Sequence, residues 1–148
     1  MIRLAAADSE SDLRALAALR RASTAENGLV ADDPGFETQF ADWLARNRRI
    51  LWLAESPAPV GMLNLAVFER MPRPGRDVGC WGYIGNAYVL PAHRNRGVGR
   101  ALLDAAIAHA RAHRFARLVL APTERSRPFY ARAGFVTAAS LLVLELEL

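Results

Sequence analysis

Residues 89–103 read Val-Leu-Pro-Ala-His-Arg-Asn-Arg-Gly-Val-Gly-Arg-Ala-Leu-Leu, and no other stretch limits the fold as tightly. An apolar run, Trp81 to Val89, passes through two closely spaced glycines flanked by arginines into an amphipathic run, Ala101 to Ala112. This order predicts a strand, an anion-binding turn and a helix. Glycines at 97 and 99 let the backbone approach a ligand closely and adopt angles that a Cβ forbids. The helix that follows directs its free N–H groups and positive dipole end into the turn. Arg94, Arg96 and Arg100 add charge, so a phosphate or pyrophosphate is the expected guest. Neither of two familiar phosphate loops fits, because no Gly-Lys-Ser/Thr follows the glycines and Leu102 stands where the third glycine of a dinucleotide fingerprint falls.

The spacing Arg94-x-x-Gly97-x-Gly99 follows a strand ending Tyr88-Val89-Leu90-Pro91 and precedes Phe129-Tyr130-x-x-x-Gly134-Phe135. Together these resemble the GNAT superfamily of acyl-CoA-dependent N-acetyltransferases, over about Tyr83 to Phe135. The resemblance implies an α/β fold of mixed α+β type. Its central mixed sheet would be mostly antiparallel, with six to seven strands splayed between the fourth and fifth, and with about four helices. It also implies acetyl-CoA as cosubstrate and no metal. The pantetheine arm is then expected to pair with the main chain of Ala87, Tyr88 and Val89, beside a bulge near the end of the strand. The turn formed by Arg94, Asn95, Arg96, Gly97, Val98, Gly99 and Arg100 would hold the pyrophosphate, and Tyr130 would supply the proton for the leaving thiolate.

Two departures from the family pattern matter. Many relatives carry asparagine seven residues before the tyrosine and alanine three residues after that asparagine, where this chain has Thr123 and Ser126. Thr123 keeps one hydrogen bond for the pantetheine. Some relatives place a glutamate on the strand before the turn, a position held here by Tyr83, and no carboxylate occurs from Gly79 to Leu103. Glu26, Glu69 and Asp77 are the candidate bases from elsewhere, alongside a water path to solvent. His93, next to the turn, suits a phosphate contact or solvent.

The chain has 148 residues, 52% of them hydrophobic, which predicts one domain over residues 1–148 with a sizeable core. Acidic residues at 8, 10 and 12 and the lack of eighteen consecutive apolar residues predict a soluble, cytoplasmic protein with no membrane partner. The formal charge is +4, yet all 19 Lys and Arg positions are arginine and they are spread along the chain, so no nucleic-acid partner is expected. Cys80 is the lone cysteine and reads as a packed or loop thiol.

In chain order, Ile2 to Ala7 reads as a strand, and Ser9 caps a helix with Leu13, Leu16 and Ala17 on one face. Asp33 is the expected cap of a second helix beginning at Pro34, with Phe36, Phe40, Trp43 and Leu44 as its buried stripe. The link between these helices makes Glu26, Asn27, Asp32 and Asp33 candidate acceptor contacts, against a reading as caps and solvated loop. Ile50 to Ala54 and Val60 to Phe68 read as a hairpin, and residues 71–77 as a loop whose arginines, with Arg70, are either exposed or aimed at an anionic acceptor. Ala116 to Leu120 reads as a parallel strand, Ser126 or Arg127 starts a short helix, and Gly134 ends it. His109 and His113 read as solvated. The alternation from Phe135 to Leu148 predicts one or two closing strands, which leaves a homodimer through them open.

These expectations converge on an enzyme that transfers an acetyl group from acetyl-CoA to a primary amine of a small-molecule acceptor in a ternary complex. Its alternatives are acetylation of a protein or peptide amine, and a non-catalytic acyl-CoA-binding or sensing module. A nucleic-acid-binding domain would instead show steep salt dependence.

Overall fold

The computed structural model describes residues 1–147, so Leu148 of the C-terminal alternation lies outside the described residues. Five strands pair in sequence order: β1 (Ile2–Leu4), β2 (Ile50–Glu55), β3 (Pro59–Glu69), β4 (Cys80–Val89) and β5 (Leu118–Val119). The first three pairings are antiparallel and the last is parallel. Four helices flank the sheet: α1 (Glu10–Glu26), α2 (Phe36–Arg46), α3 (Val98–Ala112) and α4 (Arg127–Arg132).

The apolar periodicities account for the layering. In α2, Phe36, Phe40 and Trp43 recur at helical spacing and stack on one another, with centroids 5.7 and 6.3 Å apart. With Leu16 and Leu19 of α1 they cover one face of the sheet, against Leu51, Leu53 and Met62. Leu102, Leu103 and Ala106 of α3 cover the other face, against Trp52, Leu63, Leu65 and Ile84. Alternation along β2 and β3 sends successive side chains to the two cores.

A bulge breaks that alternation in β4. Met62 pairs with Tyr88 and Asn64 with Gly85, so Leu63 alone faces both Asn86 and Ala87, and Asn86 takes φ +52°. The extra residue reverses the sidedness of the strand. Ile84 packs on the α3 face, whereas Tyr88, four residues on, packs on the α1–α2 face. Beyond Tyr83↔Val119, β4 and β5 no longer pair, which is the splay expected between the fourth and fifth strands.

The sheet has five strands, not six to seven, and residues 135–147 form no strand. Their alternation favours extended backbone, but a strand exists only where a neighbour supplies hydrogen bonds in register. Among the described residues no strand lies beside the outer edge of β5. β5 itself is shorter than the expected run from 116 to 120 because its partner diverges. The second helix starts at Phe36 rather than Pro34, since the Asp33 carboxylate accepts the Gly35 N–H (3.0 Å) and closes a turn ahead of the helix. On the other face of the sheet, α3 starts earlier than expected, at Val98, with Gly97 as the cap residue at φ +82°. His109 is not simply solvated: its ring stands edge-on to Trp52 and Phe115 and stacks on His113, and burial followed by the His113 charge lowers its pKa.

The Ser9 cap forms, with its hydroxyl accepting the Asp12 N–H (3.3 Å). Asp12 does more than a cap box asks. It is only 3% exposed, accepts two hydrogen bonds from Arg3 (2.9 and 2.6 Å) and takes the Ala6 N–H (2.8 Å). Arg3 also bonds Glu55, so β1, α1 and β2 are tied at one point.

Candidate active site

The end of β4 is where the expected parts meet. The Leu90 N–H donates to Val60 O (2.8 Å), so positions 60 and 90 form a hydrogen-bonded pair and the next pair, Gly61↔Val89, does not. In an antiparallel ladder the groups of such a pair point outwards. The Val89 N–H therefore faces away from β3, into the gap that opens towards β5.

After β4 a 3-10 turn, Pro91–His93, leads into the glycine turn. Asn95 and Gly97 take positive φ (+59° and +82°), and no side chain caps α3. Left-handed Gly97 followed by helical Val98 presents consecutive N–H groups to one concavity, and the first-turn N–H groups of α3 continue it. This fits a pyrophosphate. Nothing lies within 4 Å of where a Cβ on Gly97 would sit, whereas one on Gly99 would lie 3.6 Å from the Phe129 ring and 3.7 Å from Val89 Cγ2. These are ordinary van der Waals contacts, so a methyl would fit at 99, and the first turn of α3 packs between the end of β4 and α4 without requiring a glycine there.

α4 carries the tyrosine. Pro128 sits in its first turn and Gly134 takes φ +99° after its last, both as the sequence predicts. Tyr130 stands edge-on to Phe129 and Phe135 (5.0 and 5.8 Å) and is half-buried, and burial raises its pKa. The phenol is therefore held as the protonated donor. Thr123 serves α4 as well: its oxygen accepts the Ser126 N–H (3.2 Å) and its hydroxyl donates to Ser126 Oγ (3.0 Å). That hydroxyl is engaged locally, in place of the free hydrogen bond expected for the pantetheine.

Arg94 is differently placed from its neighbours. Its Nε donates to Val89 O (2.9 Å), and its two terminal nitrogens grip the Glu26 carboxylate (2.6 and 2.7 Å). Tyr88 completes the cluster by donating to Glu26 Oε2 (2.8 Å), with Arg94 over its ring. Burial and then the Glu26 carboxylate raise the Tyr88 pKa. Arg94, followed by Tyr88, holds Glu26 at about 2, a value that disfavours taking a proton from an ammonium with pKa near 10. Sequence spacing missed this triad because its members lie 62 and 68 residues apart. Arg100 bonds Asp104 and the Arg132 carbonyl, linking α3 to α4.

The other candidate bases fall away on distance. Glu69 pairs with Cys80 at the start of β4 and Asp77 lies in the loop before it. A strand rises about 3.3 Å per residue, so Val89 is roughly 30 Å from that end. Arg70, Arg73 and Arg76 share the same remote loop. Tyr83 is partly exposed where β4 meets β5. Of the α1–α2 link, only Glu26 reaches the turn; Asn27 caps α1, and Asp32 and Asp33 are exposed.

Sequence reasoning missed one further element. On the α1–α2 face, a cavity of about 240 Å³ is lined by Phe36, Phe40, Trp43, Asn64 and Asn86, with Arg20 and Gln39 contributing polar groups. It reaches the β4 bulge through Asn86. Asn64 Nδ2 donates to Asn86 Oδ1 (3.3 Å), and the buried Asn64 Oδ1 has no partner. An unpaired buried acceptor costs about 1–3 kcal/mol until a donor reaches it. Only the aromatic stripe of α2 was visible beforehand. Among the described residues no cluster of three or more His, Cys, Asp or Glu converges, and no helix is long and apolar enough to cross a membrane.

Comparison with known proteins bears on the same residues. The family model of the acetyltransferase (GNAT) family matches residues 16–135. A GCN5-related N-acetyltransferase from Ralstonia eutropha JMP134 is 31% identical, covering 98% of this chain and 97% of its own, with a TM-score of 0.71. A predicted acetyltransferase from Clostridium acetobutylicum, crystallised with acetyl-CoA, shares the fold at 23% identity with a TM-score of 0.73 over 98% of this chain and 95% of its own. Glucosamine 6-phosphate N-acetyltransferase of Trypanosoma brucei brucei is 33% identical over 76 residues, 51% of this chain. The match spans about half the length of that curated relative. From α1 through the tyrosine of α4, this chain belongs to the GNAT acetyltransferase family.

Proposed function

We propose that the protein transfers the acetyl group of acetyl-CoA to a primary amine of a small molecule, by direct attack within a ternary complex. One observation carries this reading: the Val89 N–H faces the gap between β4 and β5, beside the glycine turn and next to α4. A thioester carbonyl in that gap would develop its negative charge against a donor fixed before the reaction, which costs no reorganisation. The turn from Arg94 to Arg100 would hold the pyrophosphate, and the main chain of Ala87, Tyr88 and Val89 the pantetheine. Tyr130 would return a proton to the thiolate. Thr123 would help by fixing the start of α4 rather than by touching the coenzyme.

The acceptor would lie in the cavity beside the bulge. The Asn64 Oδ1 can take one N–H of a neutral amine and leave the nitrogen lone pair free for attack. Arg20 is the one charge in the lining, and no carboxylate accompanies it. A like charge disfavours the ammonium form, which would offset the lack of a carboxylate base on β4. The lining favours a monoamine with a flat body that stacks on Phe36 and Trp43, over a polyamine or aminoglycoside that would bring several positive charges.

Thiol release from acetyl-CoA, measured against arylalkylamines, glucosamine 6-phosphate, polyamines, aminoglycosides and peptides, tests the proposal. Turnover is expected with a monoamine from the first two groups. Micromolar CoA binding by calorimetry without turnover on any amine would replace the enzyme with a binding module, and turnover on peptides alone would move the acceptor to protein.

A further inference from the structure

Arg20 lies partly buried in the wall of the acceptor cavity, and among the described residues its guanidinium makes no ion pair and no hydrogen bond. Its neighbour on α1 is anchored. Arg21 donates to Ala31 O and Asp33 O (both 2.7 Å) and sits over the Phe36 ring. Glu26, further along α1, is already committed to Arg94 and Tyr88. No carboxylate lines the cavity, so the anion that Arg20 lacks is one that a ligand can bring.

The polar groups of the lining divide into two kinds. Asn64 Oδ1, buried and without a partner, accepts an N–H. Arg20 offers a fixed fork of donors and Gln39 a carboxamide N–H, which suit an anion. Between these kinds of group the lining supplies the row of Phe36, Phe40 and Trp43, whose successive rings lie within 17° and 8° of parallel.

Charge then narrows the ligand. An amine is neutral when it attacks, so a plain arylalkylamine leaves the positive charge of Arg20 unmet. An amine that also carries a carboxylate brings one negative charge and balances it. A phosphate ester brings about −1.5 to −2 and exceeds it. Size narrows it further: about 240 Å³ is below the range of roughly 300–1,000 Å³ typical of drug-sized ligands, which leaves room for a single ring.

Resting on the reading of this cavity as the acceptor site, we infer that the acceptor is a single-ring aromatic amino acid. Its carboxylate would meet Arg20, its amine Asn64, and its ring the wall formed by α2. Arg20 would also draw the carboxylate away from the substrate's own ammonium, which that carboxylate otherwise stabilises. Transfer forms the amide C–N bond and breaks the thioester C–S bond. The nitrogen gives up one proton to solvent, and Tyr130 returns one to the thiolate.

Calorimetry of the CoA-saturated protein at neutral pH tests the carboxylate contact without requiring turnover. L-Phenylalanine or L-tyrosine should bind about tenfold more tightly than phenethylamine, which has the ring and amine but no carboxylate. In Arg20→Gln that advantage should vanish, with circular dichroism and CoA affinity at parental values. No binding of either amino acid, phenethylamine binding as tightly, or an advantage that survives in Arg20→Gln overturns the inference. Glucosamine 6-phosphate binding more tightly than both amino acids also overturns it, because the anion would then be a phosphate. Thiol release separates this inference from the proposed function. Carboxylate-dependent binding with no transfer to any amine removes the enzyme and keeps the contact. Transfer to phenylalanine and phenethylamine with equal kcat/KM keeps the enzyme and overturns the contact.

Discussion

The two halves of the proposed site meet at the end of β4 and are built in opposite ways. The coenzyme half is one continuous stretch, residues 87–100, and would work mainly through main-chain groups released by a strand pair and two positive-φ residues. The acceptor half takes side chains from α1, α2, β3 and β4, and its one buried side-chain atom without a partner is a carboxamide oxygen. A backbone-built site tolerates most side-chain changes and fails at the few positions where a Cβ or a charge blocks it. A side-chain-built site should fail residue by residue, and each failure should stay on its own side of the sheet.

The largest effect is expected at Gly97. With open space around a Cβ there, a substitution meets no crowding, only the positive φ and whatever charge it brings. Gly97→Ala isolates the backbone cost, roughly 1–2 kcal/mol for a residue forced into the left-handed region. Gly97→Glu adds a negative charge where the phosphates are expected and should weaken acetyl-CoA binding by more than about hundredfold in calorimetry. Unchanged binding in the glutamate variant would remove the turn from the coenzyme site.

Tyr130→Phe comes next, with kcat falling about hundredfold and acetyl-CoA affinity little changed. The sign of the pH dependence follows from burial. A raised pKa keeps the phenol protonated through neutral pH and beyond the usual tyrosine range, so loss of this proton should not limit kcat until strongly alkaline pH. A kcat that falls between pH 7 and 9 in the parent, and not in Tyr130→Phe, would show instead that the phenol is acidified in the complex.

Asn64→Ala should raise KM for the amine about tenfold and leave KM for acetyl-CoA unchanged, since it removes the acceptor that the cavity leaves unpaired. Equal increases in both constants would mean that the halves are coupled through the bulge and do not fail independently.

The same contrast explains what could be read from the sequence. The strand, turn and helix of residues 81–112 and the short helix around Tyr130 were readable because each depends on neighbours in the chain: a glycine at a positive φ, a proline in a first turn, an apolar face at helical spacing. The β4 bulge came with the family resemblance, although the residue that adopts the positive φ, Asn86, carries no signal that separates it from a turn asparagine. The acceptor cavity and the Glu26–Arg94–Tyr88 cluster were not readable, because they join residues from separate elements through register and packing. The closing strands were overread for the converse reason. Residues 135–147 have strand-like alternation, but alternation records a tendency and says nothing about whether a partner edge is within reach.

The smallest functional effect is expected at Asp12, which lies in neither half. Asp12→Asn removes the charge that receives Arg3 and keeps the shape, so the parent should exceed it in stability by about 1–3 kcal/mol near neutral pH. Arg3, and then the Ala6 N–H, hold the Asp12 carboxyl at about 2, below its ordinary value of 3.8. A folded-state pKa that is depressed means that folding favours the ionised form, so the contribution is complete above about pH 4 and is lost as pH falls towards 2. The melting-temperature gap between parent and variant should accordingly be widest near neutrality and close over that acid window, while KM for acetyl-CoA and for the amine stay at parental values. A shift in either constant would show that the tie among β1, α1 and β2 reaches Glu26 at the far end of α1, and through Arg94 the coenzyme turn itself.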